Sequence, residues 1–143
     1  TAPVNSLYAL HESLLMLQEE GLEKAWARHK TLHHALKAGL EAMGLSFIVP
    51  EGSRLAQLNA VSIPEGVDEA VLRKRLLHEY DLEIGAGLGT LAGKVWRIGL
   101  VGYSANASNV MFCLASLESV LSDMDATINT GVALPAAQQA LPK

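Results

Sequence analysis

The spacing of apolar residues changes character along this 143-residue chain, and that change limits what it can fold into more than any other feature. Long stretches repeat at about 3.6 residues, as amphipathic helices do, and short ones alternate at about 2, as half-buried strands do. Val4 to Glu20 reads as a helix with Val4, Leu7, Tyr8, Leu14, Leu15 and Met16 crowding one side. Pro3 suits its start, where a missing N–H has no intrahelical partner. Gly21 interrupts the pattern, and a second helix runs from Leu22 to Met43, with Leu22, Trp26, Leu32, Leu36, Leu40 and Met43 expected inward. Gly44 is placed to end it in a left-handed conformation.

From Ser46 the period shortens. Ser46-Phe47-Ile48-Val49 reads as a strand stopped by Pro50-Glu51-Gly52, and Leu58 to Ile63 as a second, ended by Pro64-Glu65-Gly66. Asp68 can cap a third helix carrying Leu72, Leu76 and Tyr80 on one stripe. Leu82-Glu83-Ile84 is expected as a third strand, followed by a glycine-rich loop from Gly85 to Gly93. Val95 to Leu100 alternates again, with Trp96, Ile98 and Leu100 on one side and Val95, Arg97 and Gly99 on the other. Asn106 or Ser104 caps a last helix built on Val110, Leu114, Leu117 and Leu121. Beyond Asp123 no period is visible, so 123–143 is expected to be a mobile tail. The order ααββαββα specifies an α/β (two-layer α+β) fold, a small and mostly antiparallel sheet covered by helices. The first helix then has nothing to pack on, which marks a missing neighbour.

Charge and cysteine usage narrow the function. The formal charge of −4, with no basic block, argues against nucleic-acid binding. Arg73-Lys74-Arg75 falls within a helical pattern and reads as a solvated face. Cys113 is the one cysteine, so it has no partner for an internal disulfide, and a reducing compartment is expected. No apolar run reaches the roughly 18 residues needed to span a bilayer. The opening Thr1-Ala2-Pro3 has neither an initiator Met nor a signal pattern, so the chain is expected to be a fragment. Leu141-Pro142-Lys143 is no peroxisomal address, which leaves the cytoplasm as the expected location.

Five candidate sites are weighed against the residues around them. Gly87-Leu88-Gly89-Thr90-Leu91-Ala92 fits G-x-G-x-x-A, but a dinucleotide site needs a helix to open there, and Lys94 to Leu100 continues as a strand. A flexible connection between strands is the better reading. His29 and His33 lie four apart, with His34 adjacent, yet no third or fourth metal ligand is spaced to join them. They are expected on a solvated face, and no metal site is expected. Cys113 reads as a small buried hydrophobe. Ser104 and the other serines lack a supporting His and Asp arrangement. Arg97 carries more information, being a lone charge inside Val-Trp-Arg-Ile-Gly-Leu, where a cation is expensive unless paired. Its planar fork suits a carboxylate. That carboxylate can belong to a substrate or to Glu83 on the neighbouring strand, or else the head reaches water at a sheet edge.

Three stretches taken together resemble the alanine–glyoxylate and serine–pyruvate (serine–glyoxylate) aminotransferase family, class V pyridoxal enzymes of fold-type I. They are Thr1-Ala2-Pro3-Val4-Asn5-Ser6-Leu7-Tyr8, Leu82-Glu83-Ile84-Gly85-Ala86-Gly87-Leu88-Gly89 and Gly93-Lys94-Val95-Trp96-Arg97-Ile98-Gly99-Leu100. The likeness runs from Thr1 to about Ser122, and the third stretch is the most specific. It implies a connecting helix over 1–20 from an N-terminal large domain, a carboxy-terminal small domain over 21–122 and a tail over 123–143. It also implies a transaminase dependent on pyridoxal 5'-phosphate that moves an amino group from alanine or serine to glyoxylate or pyruvate. Its partners would be the large domain, a second subunit in a homodimer, and small amino acid and 2-oxo acid substrates.

In the family the arginine of this stretch holds the substrate α-carboxylate, and Arg97 occupies its place. Thr1 matches the threonine that reaches the cofactor phosphate from the partner subunit, and Gly85 to Gly89 would border the pocket. None of Lys24, Lys30, Lys37, Lys74, Lys94 and Lys143 sits in the family's Schiff-base context, so no catalytic residue is assigned and the chain alone is expected to be inactive. Two other readings are open. One is a different class V enzyme, such as a phosphoserine aminotransferase or a cysteine desulfurase, and the other is a stand-alone binding or assembly module.

Overall fold

A computed structural model describes residues 2–142. Eight regular elements follow in the order ααβαββαα: α1 (Val4–Glu20), α2 (Leu22–Ala42), β1 (Leu58–Ser62), α3 (Glu69–Tyr80), β2 (Gly85–Ala86), β3 (Val95–Gly99), α4 (Ala107–Asp123) and α5 (Ala133–Ala140). The helix ends follow local chemistry. Asp68 accepts from the Ala70 and Val71 amides at 2.9 and 3.0 Å and so begins α3. Asn106, the cap chosen for the last helix over Ser104, accepts from the Asn109 amide at 2.9 Å. Gly44, at φ +91°, turns the chain out of α2 while the Leu45 amide closes on the Leu40 carbonyl.

The sheet is antiparallel throughout, with β3 between β1 and β2. Its register pairs Asn59 with Ile98 and Val61 with Trp96, and these four buried residues form the covered face. Against that face pack Leu32, Leu36 and Leu40 of α2, Leu72 and Leu76 of α3, and Val110, Leu114, Leu117 and Leu121 of α4. The opposite face carries the pairs Leu58–Gly99, Ala60–Arg97 and Ser62–Val95. No helix covers it. Val95 alone on that side is fully buried, because the turn after β2 folds over it.

Four expectations are corrected. Ser46–Val49 does not extend into a strand, since only Phe47 bridges to Val61, although the Ser62 and Ile48 amides bond to Ser46 and Ala60 carbonyls. The strand expected at Leu82–Ile84 starts three residues later. The Leu82 amide is still bonded to the Leu76 carbonyl, so this stretch is the exit from α3. Leu22 and Trp26 are exposed, not inward, because in the first turns of α2 the covered positions are Ala25 and His29 instead.

The segment beyond Asp123 is not a tail. It returns across α2 and forms α5, with Ala133 and Ala137 fully buried. The Asn129 amide and side chain bond to the Met43 and Ala42 carbonyls at 3.0 and 3.1 Å, closing the end of α2. A contact made by alanines four apart gives a faint apolar signal. Pro135 sits in the first turn of α5, where it costs no hydrogen bond.

Expectations for α1 agree with the structure. It has no buried residue, and Val4, Leu7, Tyr8, Leu10 and Leu14 are exposed along it. Gly21, at φ +86°, joins it to α2. Thr1 lies outside the described residues, so its expected role has no structural counterpart here.

Candidate functional site

Arg97 lies at the middle of the central strand, and alternation sends its side chain to the uncovered face, opposite Trp96 and Ile98. Its neighbours there are small: Ala60 on β1 and Gly85 on β2 stand opposite it in register. The side chain crosses Gly85, and Nε donates to the Ala86 carbonyl at 2.7 Å. Beside it the chain turns through Gly87, whose amide donates to the Val95 carbonyl at 2.9 Å. A Cβ at Gly87 would meet the Leu91 carbonyl oxygen at 2.0 Å, so only glycine permits this fold-back.

The electrostatic setting of Arg97 differs from that of every other arginine in the chain. Arg28 is held by Glu20 at 2.5 Å, Arg54 by Glu41 at 3.6 Å, Arg73 by Glu69 at 2.7 Å, and Arg75 by Glu79 at 2.6 Å. Among the described residues, Arg97 has no carboxylate within 4.0 Å. The pairing with Glu83 is not found; Glu83 is exposed and raises the pKa of Arg73 as the least of its causes, after the Glu69 bond, burial and the Glu69 charge. Arg97 therefore offers a half-buried, charged fork whose terminal nitrogens can donate to further partners.

Elsewhere the structure separates the candidates. The G-x-G-x-x-A segment forms a short turn at Gly89–Leu91 and returns to β3, so no helix N-terminus opens behind it. His29 and His33 are buried, contrary to the solvated face expected. His29 Nδ1 lies 2.6 Å from the Ala25 carbonyl, within its own helix. His33 Nδ1 lies 2.6 Å from Asn59 Oδ1, and Asn59 Nδ2 donates to the Ile98 carbonyl at 3.2 Å. Burial lowers the His33 pKa below its ordinary 6.5. These histidines tie α2 to its own backbone and to the sheet. No group of three potential metal ligands occurs among the described residues.

Cys113 is buried on α4, as expected, and burial pushes its thiol up to about 12. That makes it a poor nucleophile and speaks against a desulfurase's catalytic cysteine. Arg28 was not singled out by sequence. Besides Glu20 it donates to the Ala105 and Gly102 carbonyls at 2.7 and 3.0 Å, tying the α1–α2 elbow to the turn after β3. Gly85 and Ala86 were seen as part of a loop, and their direct contact with Arg97 becomes visible only once the register is known.

No family model matches the chain. It is 43% identical over 137 residues to the (S)-ureidoglycine–glyoxylate transaminase of Bacillus subtilis, covering 96% of this chain and 33% of that protein. It is 38% identical over 143 residues to the serine–glyoxylate aminotransferase of Methylorubrum extorquens, covering 99% and 35% respectively. The crystal structure of a pyridoxamine–pyruvate aminotransferase from Mesorhizobium loti superposes with a TM-score of 0.92 at 30% identity, over 98% of this chain and 36% of that one. The chain thus spans about a third of the length of the relatives it matches.

A three-stranded antiparallel sheet with helices on one face is the two-layer fold of the small aminotransferase domain on which the chain superposes. The chain belongs to the class V aminotransferases of the alanine–, serine– and ureidoglycine–glyoxylate group, where it corresponds to the carboxy-terminal small domain.

Proposed function

We propose that this chain is the substrate-gripping domain of a pyridoxal-phosphate-dependent transaminase that passes an amino group from alanine or serine to glyoxylate or pyruvate. Arg97 binds the α-carboxylate shared by donor and acceptor. One observation carries this reading: Arg97 alone among the arginines has no carboxylate partner among the described residues, although it stands in the centre of a sheet. A half-buried cation left unpaired is costly, and a carboxylate delivered by substrate removes that cost. The relatives support the substrate class, since their names specify glyoxylate or pyruvate as acceptor.

The described residues fit the substrate's carboxylate and do not build a cofactor site. Lys94, the lysine nearest Arg97 in sequence, immediately precedes β3 at a position of opposite alternation and is exposed. Pyridoxal phosphate, when bound in the complete enzyme, supplies the electron sink for the chemistry. The contribution of this domain is to orient the substrate against it, which a two-point carboxylate clamp does well. The remaining chain, with a second subunit, would supply the rest of the site, and the apolar stripe of α1 is where we place its docking. Thr1 would reach the cofactor phosphate of the neighbouring subunit.

The test is Arg97→Ala in the complete enzyme. Charge-assisted hydrogen bonds are worth about 1.5–3 kcal/mol, so KM for the amino donor should rise by roughly tenfold or more while cofactor affinity holds. An unchanged KM would remove the assignment.

A further inference from the structure

We infer that β2 is a cradle that aims Arg97, with Gly85 as a positioning residue for the carboxylate clamp; the inference rests on the reading of Arg97 given above. Two contacts define the cradle. The Ala86 carbonyl accepts from Arg97 Nε at 2.7 Å, which commits one edge of the guanidinium to the protein. Gly85, opposite Arg97 in register, leaves the space the fork occupies. A Cβ there would lie 3.2 Å from Nη2, 3.3 Å from Nε and 3.4 Å from Cβ of Arg97.

With Nε committed, the terminal nitrogens remain as the donor pair for an incoming carboxylate. An arginine free to rotate would present five N–H groups in many directions, whereas this one is pinned along one side and presents its far end. A grip that must hold substrates differing only in a small side chain needs this constancy, since misplacement by even fractions of an ångström lowers the rate. Gly85 is not at positive φ, so its role is to make room and not to relieve the backbone. Adding a side chain there is a clean perturbation of the guanidinium.

The experiment is a set of variants in the complete enzyme, with steady-state kinetics, the absorption spectrum of the bound cofactor and thermal denaturation on each. Gly85→Ala forces the fork to move by a few tenths of an ångström and should raise KM for the amino donor about two- to tenfold. Gly85→Val, with two further carbons over β2, should exceed that. The cofactor spectrum should be unchanged in both. In an Arg97→Lys background, whose ammonium lacks the Nε contact and the planar fork, Gly85→Ala should change KM no further. Equal effects of Gly85→Ala in the native and Arg97→Lys backgrounds, or none with native Arg97, would overturn the cradle. If Arg97→Ala itself leaves KM untouched, the clamp reading fails. If Arg97→Ala raises KM but Gly85→Ala does not, only the cradle fails.

Discussion

Gly39 is the residue whose replacement best tests how the carboxy-terminal segment is packed. It lies within α2, buried where α4 and α5 converge. A Cβ added there would sit 2.5 Å from Leu114 Cδ1, 2.8 Å from Leu114 Cδ2 and 3.1 Å from the Ala133 carbonyl oxygen. Ordinary carbon contacts are about 3.5–4.0 Å, so Leu114 must retreat by roughly 1 Å inside a filled core. Overpacking of this kind costs about 1–3 kcal/mol. Alanine in place of a helical glycine returns about 0.8–1 kcal/mol. The balance is a net loss of about 1 kcal/mol, read as a fall of about 4 °C in the melting midpoint for a chain of this size. Circular dichroism melts of the wild type, Gly39→Ala, Leu114→Ala and the double variant measure it. Leu114→Ala alone should cost about 2–5 kcal/mol by leaving a cavity. In that background Gly39→Ala should change sign and stabilise, since the obstructing carbons are gone. A higher midpoint for Gly39→Ala alone, or the same shift in both backgrounds, would refute the packing of α2 against α4 and α5 described above.

Two further outcomes follow from buried groups. The His33 pKa is lowered first by burial, opposed by the Asn59 bond and reinforced by the charges of His34, Arg54 and Lys37. The unfolded chain therefore takes up a proton near the ordinary value of 6.5 while the folded chain does not, so stability should fall as pH drops through that value and level off below the folded-state pKa. Urea midpoints across this range should show the slope, and His33→Gln should flatten it; an unaltered slope in the variant argues against His33 as its source. Cys113, with its thiol raised to about 12 by burial, should resist alkylation in the native chain and react once denaturant is added. Rapid native labelling would contradict its placement in the core.

Much of the fold is legible in the sequence because large apolar residues recur at the right intervals. α1, α3 and α4 are visible in this way, and Asp68 and Asn106 mark their helix starts by side-chain chemistry that acts within three residues. What escapes is structure made by small residues or by distant partners. Alanine stripes carry little periodic signal, so α5 goes unseen although Ala133 and Ala137 are fully buried. The burial of His33 depends on Asn59, 26 residues away, and no local pattern announces it. The exposure of Trp26 is equally non-local, because which positions of an amphipathic helix find cover depends on what packs against it, here Ala25 and His29 and not Trp26.

The site divides along the same line. Alternation alone puts Arg97 on the face opposite Trp96 and Ile98, and the structure agrees. Alternation cannot say what stands across from it, because that depends on the residue at which the neighbouring strand begins. A strand over Leu82–Ile84 would bring Glu83 towards the guanidinium and favour an internal ion pair. The α3 exit instead runs through Leu82, pairing begins at Gly85, and a residue without a side chain faces Arg97 where Glu83 was one of the possible partners. An offset of three residues in one short edge strand thus decides between a structural salt bridge and a cation free to take a ligand. Register, the property of a sheet least readable from local sequence, is what leaves this arginine without an acid partner among the described residues.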